Sequence, residues 1–225
     1  MSDLLNRDED NVQAENSHHP HIADMSILTL KELQEFYNKN LIGTTYVYEY
    51  EYKNKDEGVI SPPIIHLNFN EWNMCHLLGI QHIVERQYNK NSYTGYSGYK
   101  KIVDNEMDIP TLKGISRSGF KAQKDRFKFF KCIIDILQNP DLILYNSDLN
   151  SSNIQSKYIM YKLIGTSYIH LGIDIDENTV DYNPKIDKCY PRTLLIEKKM
   201  GTKFIINQKE LILKNKYLLK NLDMF

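Results

Sequence analysis

Two ionisable side chains stand where helices should be apolar. A helix is predicted from Asn70-Glu71-Trp72 to about Gln87. At about 100° per residue, Trp72, Cys75, Gly79, Ile80 and Ile83 fall on one arc, with His76 near its middle and His82 at its edge toward Glu85 and Arg86. An imidazole on a core-facing stripe must find a hydrogen-bond partner, because an unsatisfied buried polar group costs roughly 1–3 kcal/mol. A second helix is predicted over about Phe120 to Gln138, and its apolar arc of Phe127, Phe130, Ile133, Ile134 and Leu137 also contains Arg126. A guanidinium taken from water must meet a carboxylate, a carbonyl or a bound anion. Taken singly, these are a satisfied core histidine and an internal ion pair. Taken together, they suggest one polar cleft shared by two helices.

The other face of the second helix is one-signed. Arg117, Lys121, Lys124, Lys128 and Lys131 fall within about 80° of arc, and Asp125 is the one acid between Thr111 and Ile134. Such a stripe is either a solvated face or a surface for a phosphate backbone, which would relieve the repulsion between its members. A second basic region spans Lys185 to Lys220. Other chemistries find little support: there is no GxGxxG, Walker-type loop or H-E-x-x-H, so no cofactor or metal is expected. His18, His19 and His21 around Pro20 read as solvated, Asp174-Ile175-Asp176-Glu177 as a turn, and Ser116-Arg117-Ser118-Gly119 as a helix N-cap or a phosphate cradle.

The elements that must hold these residues read as follows. Thr29 to Phe36 is a short capped helix with Leu33 and Phe36 on one face. Thr44 to Lys53 alternates strictly, with Tyr46, Tyr48, Tyr50 and Tyr52 on one face, and Pro63 to Phe69 is the return strand of a hairpin. A tyrosine ladder packed on a core is the simpler use of that aromatic row; base stacking is the other. Residues 88–110 are rich in Gly, Ser and Asn and are expected as a flexible loop. Four short strands follow at Lys157–Ile164, Tyr168–Ile175, Arg192–Glu197 and Thr202–Ile206, and Gln208 to Leu219 is predicted as an amphipathic helix. Helices first and clustered strands later indicate an α+β domain with an antiparallel sheet.

Composition bounds the whole. At 225 residues with 41% hydrophobic and 25% charged side chains, the chain suits one core-forming domain, over residues 25–225. Residues 1–24 hold six acids and one base and are expected as an acidic disordered tail, so the net charge of −1 conceals a basic remainder. No apolar run reaches the ~18–20 residues of a membrane span. Cys75, Cys132 and Cys189 are odd in number and far apart, which fits reduced thiols and a cytoplasmic location.

Residues in this order resemble a known family. A strand, a polar turn, an I-x-L-x-F-like strand and then Trp72-Asn73-Met74-Cys75-His76-Leu77-Leu78-Gly79-Ile80 resemble the phage-type nuclease-like domains of the barnase–EndoU–colicin–RelE (BECR) fold, fourth phage subgroup, whose hallmark is H-L-x-G-[IL]. Arg126-Phe127-Lys128-Phe129-Phe130 and the proline-led run Tyr190-Pro191-Arg192-Thr193-Leu194-Leu195 agree, over about residues 40–220.

The resemblance implies an N-terminal hairpin and helices on a small antiparallel sheet, and a metal-independent endoribonuclease, usually a toxin or mobile-element effector. RNA would be the substrate and its 2′-hydroxyl the nucleophile, with a cognate antitoxin or inhibitor as a possible partner. His76 would be the acid or base and Arg126 would hold the phosphate. Arg192, Thr193 and Lys198 are strand candidates for phosphate contact, although alternation puts Thr193 on the opposite face from Arg192 and Lys198 unless a bulge intervenes. Tyr158 and Lys162 are alternatives, and a two-histidine mechanism would need His66, His82 or His170. The alternative function is a catalytically inactive nuclease-derived binding module in phage–host conflict, gripping a nucleic acid through the lysine stripe or a protein partner; a third is an accessory protein of a mobile element.

Overall fold

A computed structural model describes residues 26–53, 61–177 and 183–220. The expected tail and most of the turn after Lys53 lie outside the described residues. In chain order the elements are α1 (Leu30–Asn40), β1 (Thr44–Tyr52), β2 (Ile64–Asn68), α2 (Glu71–Leu77), α3 (Ile80–Ile83), α4 (Gly95–Val103), α5 (Ile109–Ile115), α6 (Arg117–Phe129), α7 (Ile133–Gln138), β3 (Asp141–Leu144), β4 (Tyr158–Ile164), β5 (Ser167–Ile175), β6 (Ile186–Lys198) and β7 (Lys209–Lys220).

Thr29 caps α1 as its sequence predicts: its hydroxyl accepts from the Glu32 amide at 3.1 Å, and the Glu32 carboxylate accepts from the Thr29 amide at 2.8 Å. β1 and β2 form the expected antiparallel pair, with Tyr46 opposite Leu67 and Tyr48 opposite Ile65. Tyr46, Tyr48 and Tyr50 are buried in the core, which settles the aromatic row as structure. The Tyr48 hydroxyl donates to the Leu137 carbonyl at 2.9 Å, tying β1 to the end of α7.

The chain is α+β, but the sheet is not the small, open antiparallel one expected. Its strands close into a barrel in the order β1-β2-β6-β5-β4-β3-β7, and β2 and β6 run parallel. Closure leaves no sheet edge unpaired. It depends on β7, which sequence periodicity presents as a helix: Lys209–Lys220 instead pairs with both β1 and β3. Thr202–Ile206, expected as a strand, is a turn, with the Ile205 and Ile206 amides both donating to the Thr202 carbonyl.

Two further expectations change. The predicted helix over residues 70–87 breaks at Gly79, whose φ of 71° ends α2 and starts the short α3. Residues 88–110 hold a 3-10 turn and α4, which buries Tyr99 and Ile102. One hydrophobic core joins the helices to the barrel lining, from Leu77, Phe127 and Phe130 through to Leu171 and Leu194. Each such side chain contributes roughly 1.5–3 kcal/mol. The helical layer meets the barrel where α2 and α6 contact β6 and where α7 contacts β4 and β5. No described helix is long and apolar enough to cross a membrane.

Candidate active site

α2 enters on a fixed line because Asn70, just before it, is held from two sides. Its carbonyl accepts from the buried Tyr37 hydroxyl of α1 at 2.8 Å, and its amide donates to Asn73 Oδ1 at 2.9 Å. Met74, Cys75 and Leu77 go into the core, which leaves His76 on the exposed side of the last turn. Gly79 then takes the left-handed conformation, which an L side chain adopts only at a cost. It also faces α6 closely: a Cβ there would lie 2.6 Å from Gln123 Oε1 and 3.1 Å from Arg126 Cδ. Through that gap Arg126 reaches α2, and its Nη1 donates to the His76 carbonyl at 3.4 Å. The inward arc therefore does carry Arg126, and its partner inside the protein is a carbonyl.

Arg192 arrives from the barrel. The β5–β6 register pairs Gly172 with Thr193 but Ile173 with Pro191, so Arg192 is the extra residue of a β-bulge. A bulge reorients adjacent side chains, which lets Arg192 and Thr193 share a surface that alternation alone forbids. Arg192 Nη1 donates to Asp174 Oδ2 at 2.6 Å and to the Tyr190 hydroxyl at 3.2 Å, while Nη2 donates to Gln155 Oε1 at 2.7 Å. Three partners fix one guanidinium plane.

These groups line one cleft of about 580 Å³, a volume ordinary for small-molecule and nucleotide sites. His76, Gln81, His82 and Arg126 form the helical wall, Arg192, Thr193 and Leu195 the barrel wall, and residues 151–155 with Lys203 and Phe204 the far lip. That lip rests on a small separate hydrophobic cluster of Ile143, Tyr145 and Ile159 with Ile154 and Phe204. Among the described residues lining the cleft there is no carboxylate.

Electrostatics follow from that asymmetry. Burial against the cleft wall, then Arg126, Arg192 and His82, hold the His76 pKa below the ordinary 6.5. Burial and Arg126 do the same to His82, against an opposing pull from Glu85. Burial lowers Arg126 to about 10, so it stays charged at neutral pH. At pH 7 the cleft thus presents two largely neutral imidazoles beside cationic guanidiniums, which is a proton acceptor set next to anion holders.

Four of the five proposed catalytic residues, His76, Arg126, Arg192 and Thr193, meet here. Lys198 does not line the cleft. Its ammonium pairs with Asp125 of α6 at 2.6 Å, outside the site. The basic stripe is also elsewhere: at 100° per residue Arg117, Lys121, Lys124, Lys128 and Lys131 lie roughly opposite Arg126 on the helix, and none lines the cleft. Lys128 sits over the Phe129 ring and Lys131 over Phe36, while Arg117, Lys121 and Lys124 are exposed. Tyr158 is buried and donates to Asp187 at 2.6 Å, and Lys162 Nζ donates to the Asp135 carbonyl at 3.3 Å, so both serve structure. Ser116 is an N-cap, accepting from the Gly119 amide at 3.0 Å. Of the three further histidines, only His82 joins the cleft; His170 is fully buried and His66 lies on β2.

Sequence reasoning did not single out Gln81, Lys203 or the 151–155 loop. Gln81 Oε1 is buried with no hydrogen-bond partner among the described residues, and its Nε2 donates to the His76 carbonyl at 3.5 Å. Among the described residues, no group of three or more His, Cys, Asp and Glu side chains is arranged to hold a metal ion.

Residues 29–221 match the family described as phage-Barnase-EndoU-ColicinE5/D-RelE like nuclease4, PBECR4. The chain belongs to this family. No curated protein and no solved structure matches it. Family membership makes this PBECR4 domain a BECR-like nuclease, for which a nucleic acid is the substrate class. The cleft built by α2, α3, α6 and β6 brings His76, His82, Arg126 and Arg192 together.

Proposed function

We propose that the PBECR4 domain is an endoribonuclease that cleaves RNA by attack of a ribose 2′-hydroxyl on the adjacent phosphorus. The convergence of His76, His82, Arg126 and Arg192 in one cleft without carboxylates carries this reading. Neutral His76 takes the 2′-hydroxyl proton as the new P–O bond forms. The P–O5′ bond breaks, and protonated His82 supplies a proton to the leaving 5′-oxygen. Arg126 and Arg192 hold the non-bridging oxygens and stabilise the charge that develops on them. Thr193, in the same cleft, would meet a ribose hydroxyl. The chain's own side chains supply every proton and charge in this sequence, so cutting is expected to persist in EDTA.

The exposed stripe at Arg117, Lys121 and Lys124 would gather flanking RNA by charge alone, outside the cleft, with a salt-dependent contribution to binding. An effector role in phage–host conflict, with a cognate inhibitor, is part of the proposal and rests on the family's phage label. The test is incubation of the purified chain with RNA in EDTA, alongside His76→Ala, and toxicity of both on induced expression. The wild type is expected to cut and to slow growth, and the folded variant to do neither. Intact RNA at enzyme excess would leave the inactive binding module as the better reading.

A further inference from the structure

Beside the cleft lies a second cavity of about 530 Å³, walled by Asn70 and Trp72 from the start of α2, by Tyr190 and Arg192 of β6, and by Asp174, Asp176 and Glu177. Arg192 lines both cavities, so the two adjoin at its side chain. Their charge is sorted. The cleft is cationic, whereas three carboxylates border this neighbour, which would repel a phosphate. Trp72 is the chain's sole tryptophan, and it stands 50% exposed at this spot rather than in the core. An open indole next to a phosphate-holding site is a stacking platform.

We propose that this second cavity is a nucleobase subsite, in which Trp72 stacks the base next to the scissile phosphate and the acidic wall selects guanine. This rests on the nuclease reading of the cleft and names the part of the substrate that reading leaves open. Carboxylates accept hydrogen bonds and donate none. Guanine presents two adjacent N–H donors, N1–H and the 2-amino group, on its Watson–Crick edge. Uracil presents one N–H flanked by carbonyl oxygens that the carboxylates would face repulsively. Glu177, exposed at the mouth, offers two carboxylate oxygens as the acceptors, while Asp174 is engaged with Arg192 and couples the base pocket to the phosphate holder. Single-stranded RNA is commonly read in this way, by stacking and by its base edges.

The test uses the full chain in EDTA, titrated with the four nucleoside 3′-monophosphates, with Trp72 emission and calorimetric heat as readouts. Guanosine 3′-monophosphate is expected to quench the emission saturably and to bind at least about fivefold tighter than the uridine compound. Trp72→Ala is expected to weaken it at least about fivefold while inorganic phosphate binds as before. Glu177→Gln should shrink the guanine-to-uracil ratio and keep the quench. Emission unmoved while nucleotide heats saturate, equal quenching by all four bases, or no nucleotide binding would overturn the subsite. Quenching by an arginine-rich peptide but by no nucleotide would overturn it in favour of a protein-binding pocket. Neither readout needs catalysis. Guanine-selective quenching with RNA left intact would sink the nuclease and keep the subsite; RNA cut by wild type and Trp72→Ala at equal rates with equal base preference would do the reverse.

Discussion

Arg126 Nη1 donates to the His76 carbonyl across 3.4 Å, so the guanidinium proposed to hold the phosphate is fastened to the helix that carries the imidazole. The geometry depends on Gly79, whose left-handed backbone and missing Cβ let Arg126 and Gln123 lie against the turn. Gly79→Ala is expected to cost about 1–2 kcal/mol from the backbone alone and to displace Arg126. Denaturant unfolding and cleavage rates measure the two effects. Gly79→Asn, which tolerates the left-handed region better, should recover stability without recovering cleavage. Cleavage by Gly79→Ala at the wild-type rate would mean that Arg126 placement is unimportant.

The cleft's acid–base groups set the pH dependence. Both His76 and His82 are held below the ordinary 6.5 by burial and by Arg126. The base must be neutral and the acid protonated, so kcat/KM is expected to peak on the acid side of pH 6.5 and to fall toward neutrality as His82 loses its proton. His82→Ala should abolish the falling limb. A profile still rising above pH 7 would contradict the assignment.

Arg192 is aimed by a bulge and three acceptors. Lysine can keep the charge there but not the fork that engages Asp174 and Gln155 at once. Arg192→Lys is expected to lower kcat by roughly ten- to a hundredfold, with stability changed by less than about 1 kcal/mol at this half-exposed position. Steady-state kinetics beside a melting curve checks both halves.

A histidine away from the cleft is expected to contribute to acid sensitivity. His170 is sealed among Tyr161, Tyr168 and Phe204, and neither ring nitrogen has a hydrogen-bond partner, although Glu197 Oε2 lies 3.3 Å from Nε2. Burial lowers its pKa to about 4 from the ordinary 6.5. Below pH 6.5 the unfolded chain takes up a proton that the folded protein refuses until about pH 4. Its share of stability is therefore complete above 6.5 and is lost across that window, on the order of 3 kcal/mol. Unfolding free energies measured against pH should show this fall, and His170→Phe should flatten it while keeping the ring contacts.

Much of the helical half was legible because a helix of fixed pitch converts spacing into direction. That arithmetic puts Arg126 on the inner arc and the lysines opposite, as found. It also puts His76 and Trp72 on a core-facing stripe, whereas both are exposed and the core takes Met74, Cys75 and Leu77 instead. The break at Gly79 was less legible, since an isolated glycine inside an apolar pattern can also continue a helix. Thr193 beside Arg192 could not be read from alternation, because the bulge opposite Gly172 and Ile173 is a property of two strands together. β7 misled for the same reason. Leu211, Ile212, Leu218 and Leu219 fall within about 120° of arc at helical pitch, yet the barrel's need for a strand between β1 and β3 prevails, leaving Ile212, Leu218 and Leu219 exposed. Gln81, Ser151 and Lys203 carried no periodic signal; a cation beside an aromatic at Lys203-Phe204 was the only local hint.

The chemistry of the cut ends tests the central claim most directly. With RNA and the purified chain in EDTA, mass spectrometry of the products is expected to find 2′,3′-cyclic phosphates and 5′-hydroxyls. His76→Ala and Arg126→Ala should each lose at least about a hundredfold in rate while folded. Undamaged RNA at enzyme excess, or cyclic ends formed equally fast by His76→Ala, would contradict the account.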